Sequence, residues 1–180
     1  SQESFYGGMD IKWSDVLHSI LNLLQKILQS KEYLLDFEKH NDIIFRIIHY
    51  FTKDDDPTTE REEKSNRPPY DTASHSIRGK AFEAIFLYLR WYNRHYSQNR
   101  EENDKYSIPA YVKDLLERHL NIDHESSLAI RFLYGHDLYL LYVLDKSWTK
   151  SLFPKIFSEQ EDLNSAAWEG YLIGTLYDSL

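Results

Sequence analysis

Apolar residues recur at steps of three and four along most of this chain, the spacing that lines one face of a helix. The densest case is residues 74–96, SHSIRGKAFEAIFLYLRWYNRHY. Ile77, Ala81, Ala84, Ile85, Tyr88 and Tyr92 make one stripe there, and Phe82, Phe86 and Leu89 a second. A helix apolar on most of its circumference must be covered on at least two sides, so the pattern predicts a fold packed around this one. Ser74 or Ser76 is placed to cap it. Gly79 and Ala81 leave room for another helix to approach closely. Arg78, Lys80, Glu83, Arg90 and Arg94 have to reach water or partners.

The rest of the chain follows the same period. After a loose lead-in at 1–9, with Asp10 or Ser14 as cap, Trp13, Val16, Leu17, Ile20, Leu24, Ile27 and Leu28 predict an amphipathic helix, with Asn22, Gln25, Lys26 and Gln29 on its polar side. Residues 31–38 read as a short helix or a turn. Asn41 or Asp42 caps a helix carrying Ile43, Ile44, Ile47, Ile48 and Phe51, with His49 as a half-buried packing residue beside the stripe. Residues 53–73, rich in charge and proline and without glycine, predict an exposed, mobile loop. A second polar loop, Ser97–Lys105, leads to Pro109 in the first turn of a helix bearing Val112, Leu115, Leu116 and Leu120. Asp123 begins the next helix and Gly135 closes it as a left-handed cap. Residues 137–144 (DLYLLYVL) form a buried helix. Ser147 caps a helix stopped at Pro154, and Asp162 caps the last, with Leu163, Ala167, Trp168, Tyr171, Leu172 and Leu176 on one face.

The expected class is therefore all-α: about eight helices in stacked antiparallel pairs, as a HEAT-like α-solenoid or an irregular helical bundle. At 180 residues the chain suits one domain, 1–180. It ends abruptly at LYDSL, inside an apolar-periodic segment, which reads as a fragment of a larger protein.

Composition narrows the functions. The net charge of −8 opposes broad binding of a nucleic-acid backbone. With no cysteine there are no disulfides or thiolate metal sites, and the reading is cytoplasmic. No apolar run approaches the roughly 20 residues of a membrane span. Aromatic residues make up 15%, with fourteen Tyr and four Trp, the types that fill interfaces while keeping one polar atom for a partner.

Catalytic motifs are scarce. There is no HExxH, GxSxG, phosphate-binding loop or GxGxxG. His119 and His124, with Glu117 and Asp123, lack metal-ligand spacing and read as a surface acid–histidine cluster. Helical ribonucleases of the HEPN type carry an Arg followed four to six residues later by His. Arg90 to His95 (RWYNRH) and Arg131 to His136 (RFLYGH) resemble that motif, although Trp91 and Phe132 stand where the family usually has a polar residue. These side chains read first as structural. No catalytic, cofactor-binding or metal-ligating residue is assigned.

Two pieces carry a further resemblance. The segment PPYDTASHSIRGKAFEAIFLYL is similar to the N-S-V-R-G-x-A-x-E-A helix in C-terminal helical regions of large prokaryotic proteins, whose N-terminal module is a STAND-type ATPase or SIR2-like. The matching residues are Ser76, Ile77, Arg78, Gly79, Ala81, Glu83 and Ala84, with His75 in place of the usual Asn. The stretch from SLAIRFLYGHDLYLLYVLDKSW through NSAAWEGYL resembles the ending of those regions. Ala129, Ile130, Arg131, Gly135, Leu144, Asp145, Trp148, Phe153, Trp168 and Tyr171 fall where that ending has them. The resemblance implies a HEAT-like, cytoplasmic helical region, often part of a defence protein, without catalytic residues of its own. The expected function is thus a non-enzymatic interaction, sensor or scaffold region that binds protein. The alternative is a HEPN-like ribonuclease using Arg90 and His95.

Overall fold

A computed structural model describes residues 12–30, 35–65, 67–98 and 107–177. The expected lead-in with Asp10 and most of the Ser97–Lys105 loop lie outside them. All regular structure among the described residues is helical, in ten helices rather than eight. They are α1 (Trp13–Gln29), α2 (Phe37–Phe51), α3 (Thr59–Ser65), α4 (Pro69–His75), α5 (Ile77–Gln98), α6 (Ala110–Arg118), α7 (Leu128–His136), α8 (Leu138–Leu144), α9 (Lys146–Ile156) and α10 (Glu161–Tyr177).

The two-stripe helix is the centre of the fold. Both stripes of α5 are buried apart from the half-buried Tyr92, and α1, α2, α4, α7 and α8 all contact it. Each of its charged side chains finds a partner. Lys80 donates to Asn22 at 2.8 Å, Glu83 accepts from Gln25 at 3.0 Å, and Arg94 donates to the Leu28 carbonyl at 2.5 Å. These contacts ascend together along α1 and α5, so the two helices run the same way. On α2 the order is reversed. Phe37 stacks on His95, Asn41 accepts from the Tyr88 hydroxyl at 2.6 Å, and Phe51 joins Ile77 and Ala81. α1 and α2 are therefore antiparallel to each other across the surface of α5.

Several helix starts differ from the expected ones, because the cap is whichever oxygen reaches the free N–H groups. At α1, Ser14 lies inside the helix and Lys12 precedes it without a side-chain cap. At α2 the cap is Asp36, accepting from Lys39 N, while Asn41 and Asp42 lie within the helix. α7 starts five residues after Asp123, with Ser127 as cap, and α9 starts on Asp145, ahead of Ser147. Pro154 lies inside α9 rather than ending it. α10 opens at Glu161, so Asp162 sits in its first turn. At α5 the expectation stands for Ser76, which accepts from Gly79 N at 3.2 Å, whereas Ser74 belongs to α4.

The larger correction lies in residues 53–73, expected as one mobile loop, where 59–65 form α3 and 69 onwards α4, with 53–58 an irregular turn. Charge and proline hid the reason for order there. Glu62 of α3 reaches the start of α7 and accepts from Ser127 Oγ at 2.9 Å, Leu128 N at 3.3 Å and Ala129 N at 2.9 Å. An acidic side chain at a helix N-terminus meets both unpaired donors and the positive end of the dipole. Burial still raises the Glu62 pKa against those hydrogen bonds. Asp56 does similar work for α5, accepting from Ile77 N at 3.1 Å and pairing with Arg61.

α7 and α10 meet through glycines. A Cβ on Gly135 would lie 1.9 Å from the Ala167 carbonyl oxygen, one on Gly170 2.0 Å from that of Phe132, and one on Gly174 2.2 Å from that of His136. Phe132 opposes Gly170 and His136 opposes Gly174, steps of four on both helices, so this pair also runs in one direction. Gly135 is helical, not a left-handed cap; no described glycine has positive φ. The contact also turns α10. Its buried face is Leu163, Ala166, Ala167, Gly170 and Gly174, while Trp168 and Leu172, expected inside, are exposed.

Candidate functional site

A groove of about 1280 Å³ runs between α1, α4, α5, α7 and α10. Phe86, Leu87, Phe132, Leu133 and Ile173 make its apolar wall, and Gln25, Glu83, Arg90, His136 and Asp137 supply polar groups. Asp137, which directly succeeds α7, ties the charged end together. Its carboxylate accepts from Arg90 Nη2 at 2.8 Å and lies 2.9 Å from His136 Nδ1. Asp137 is buried and Arg90 half-exposed, so a carboxylate that would be expensive to bury alone is compensated by a cation at the groove mouth.

Deeper in the groove, Glu83 is held by Gln25, whose Nε2 donates both to the carboxylate and to the Lys80 carbonyl at 3.0 Å. Burial is the main influence on Glu83 and raises its pKa above the usual 4.5; the Gln25 hydrogen bond and Lys80 oppose the shift, and Asp137 adds to it. The folded state thus keeps the Glu83 proton to higher pH than the unfolded chain does, so stability falls as pH rises from 4.5 through the raised value. Glu83→Gln keeps an acceptor for Gln25 and removes the titration. Thermal melts across pH are expected to show the variant equal to wild type below the usual carboxylate range and more stable at neutral pH. A variant less stable at neutral pH would mean the carboxylate is needed as a charge.

The two Arg–His spacings are taken apart by the fold. Arg90 turns to Asp137, whereas His95 stacks on Phe37 with ring centroids 3.9 Å apart and lies 4.0 Å from Glu38. Those partners sit on different sides of α5. In the second spacing Arg131 is only 1% exposed and donates to the Lys155 and Leu120 carbonyls, while His136 faces Asp137. The fold instead brings Arg90 of one spacing to His136 of the other, through Asp137. Sequence spacing could not reveal that pairing; the adjacent His136-Asp137 dipeptide was its one local sign.

The expected surface cluster at His119 is kept only in part: the exposed His124 ring still lies edge-on to that of His119, centroids 4.8 Å apart, but the other members separate. His119 is buried, with Nδ1 3.2 Å from Glu125 Oε2 and its ring edge-on to Phe82. Glu117 accepts from Trp148 Nε1 at 2.6 Å, and Asp123 is exposed. Glu125 also pairs with Arg78, whose Nη2 donates to Oε1 at 3.3 Å, so this is an internal ion pair with His119 beside it. His49 is half-buried, as expected, and burial lowers its pKa.

Chemically, the groove offers a satisfied carboxylate–arginine–histidine set, a hydrogen-bonded carboxyl and an apolar wall. Such a set can orient and bind a ligand. Ser74, also on the groove lining, has its Oγ 3.1 Å from His75 Nδ1, but the same nitrogen is shared with the Asp71 carbonyl at 2.8 Å, so the ring is not oriented by a separate group through its other nitrogen. Among the described residues no group of three His, Asp or Glu side chains is arranged to hold a metal ion. No helix among them is long and apolar enough to cross a membrane. Comparison with protein-family models, with curated proteins and with solved structures gave no match.

Proposed function

We propose that this chain is a non-enzymatic helical interaction region, a scaffold or sensor segment that binds protein. The sequence resemblance supports placing it in a larger prokaryotic nucleotide-binding protein of the STAND ATPase or SIR2-like kind, acting in the cytoplasm and in defence. The observation that carries the interaction reading is the row of bulky apolar side chains left in solvent on α9 and α10. Phe153, Trp168 and Leu172 are exposed there, and the Phe157 ring lies 4.5 Å from Trp168. Large aromatic residues are the side chains that anchor protein interfaces. The architecture that fits best is the irregular bundle rather than the HEAT-like solenoid. A solenoid stacks successive helix pairs, whereas α1 with α5 and α7 with α10 are distant in sequence and parallel.

Affinity capture from cells making the full-length protein tests this reading, with wild type compared against Trp168→Asp with Leu172→Asp. The expected result is a protein partner retained by wild type and lost by the variant, with unchanged far-ultraviolet dichroism. Identical captured sets would sink the reading. The ribonuclease alternative has no geometric support, since Arg90 and His95 lead to different sides of α5. RNA incubated with the purified protein is expected to remain intact. Cleavage abolished by both Arg90→Ala and His95→Ala would reverse that preference.

A further inference from the structure

α1 carries two apolar stripes, and α5 covers only one of them. Leu21, Leu24 and Leu28 are buried. Trp13, Val16, Ile20, Leu23 and Ile27 form the second, at alternating steps of three and four, the period of a coiled-coil seam. α2 repeats the arrangement with His40, Ile43, Ile47 and Tyr50 beside its buried Ile44, Ile48 and Phe51. Ile47 packs against the cluster of Leu21, Phe51, Ile77 and Ala81, so the outer stripe of α2 adjoins α1. The pair therefore presents one apolar face, with Trp13 72%, Leu23 60%, Ile43 54% and Tyr50 72% exposed.

We infer that this face is the self-association surface of the protein: the α1–α2 faces of two copies pack together across a two-fold axis. Three features select a second copy as the occupant. α1 and α2 lie side by side on α5, joined at the cluster that holds Leu21 and Ile47, so their antiparallel outer stripes make one apolar surface that a two-fold axis can match with the same residues of a second copy. The exposed parts of Trp13, Ile20, Leu23, Ile43 and Tyr50 leave on the order of 500–600 Å² of apolar surface. A stable interface takes about 800 Å² from each partner, a little over half of it apolar, so the face is large enough. Charge agrees as well. Residues 12–53 carry six basic and five acidic side chains in a chain whose net charge is −8. Two copies approaching through this face thus keep their acidic excess apart. The face is separate from the α9–α10 row that carries the proposed function, so each can fail alone.

The chain has no cysteine, so a single introduced one reports its own neighbourhood. Leu23→Cys is expected to form a disulfide-linked dimer under mild oxidation, and Trp168→Cys to stay monomeric. Sedimentation of wild type at tens of micromolar is expected to give twice 21.5 kDa. Leu23→Glu with Ile43→Glu places carboxylates in the seam and should weaken association by roughly 100-fold or more, with unchanged far-ultraviolet dichroism. If that double variant unfolds, Trp13→Glu, at a position 72% exposed, takes its place. A monomeric wild type, a dimer that survives the seam carboxylates, or cross-linking through Trp168→Cys in place of Leu23→Cys would overturn the inference.

Discussion

Gly170→Ala is expected to destabilise the fold by about 2–3 kcal/mol, although alanine is the better helix former. Propensity alone would favour the change by about 1 kcal/mol. Against that, the new Cβ would lie 2.0 Å from the Phe132 carbonyl oxygen and 2.8 Å from His136 N. Both obstacles are backbone atoms of a regular helix, so no side chain can swing aside. α7 and α10 must separate, and the contacts of Gly135 with Ala167 and of Gly174 with His136 loosen with them. Overpacking a closed core costs typically 1–3 kcal/mol and occasionally more; with backbone atoms as both obstacles the gross cost is about 3–4 kcal/mol, which leaves about 2–3 after the propensity gain. At roughly 2–4 °C per kcal/mol for a chain of this size, the melting temperature should fall by about 4–12 °C. Gly170→Val, with a branched side chain in the same place, is expected to prevent folding. Thermal melts followed by circular dichroism decide the matter, and an unchanged or raised melting temperature for Gly170→Ala would contradict the close α7–α10 contact.

Glu125→Ala is expected to cost about 3–5 kcal/mol, the range for breaking a buried ion pair by removing one partner. The Glu125 carboxylate accepts from Arg78 Nη2 at 3.3 Å and Ser127 N at 3.1 Å and lies 3.2 Å from His119 Nδ1, with Arg78 Nε 2.9 Å away in an ion pair that is not aligned as a hydrogen bond. Arg78 is only 14% exposed and would keep its bonds to the Asp54 and Pro57 carbonyls, at 2.7 and 2.6 Å, without a countercharge. Glu125→Gln retains acceptors and should lose less. Replacing both partners, Arg78→Met with Glu125→Leu, should lose less than Glu125→Ala alone, because no unpaired charge remains inside. Urea unfolding of wild type, Arg78→Met, Glu125→Leu and the double variant gives the coupling directly. Equal losses in Glu125→Ala and Glu125→Gln would show that the charge carries the network and that a neutral acceptor does not replace it; a negligible loss in Glu125→Gln would show hydrogen bonding without a charge contribution.

These two sites differ in how readable they were. Arg78 and Gly79 stand in the strongest apolar pattern of the chain, and both roles came from that setting. A glycine there permits close approach, observed as an Ala73 carbonyl oxygen 2.1 Å from where a Cβ would be. A charge on a helix this apolar needs a partner, but Glu125 as that partner was invisible, since it lies 47 residues away in an irregular turn. Gly135 misled because a glycine near the end of an apolar run usually marks a left-handed cap. Here its missing side chain admits α10 instead. Residues 53–73 misled for the same reason: Glu62 reads as solvated charge until the start of α7 is beside it.

The candidate groove shows the limit more sharply. Arg90 and His136 each belonged to a suggestive spacing, but the fold discards both spacings and joins one member of each through Asp137. Periodicity determined the helical class, the central place of α5 and the need of its charges for partners, because these depend on neighbours three and four residues along one helix. Which helices pair, which face of α10 is buried and which side chains share the groove were decided only by tertiary structure. Those outcomes depend on how closely two backbones can approach, as at Gly135 and Gly170, and on where a distant carboxylate meets a helix end. Neither distance is encoded in local spacing.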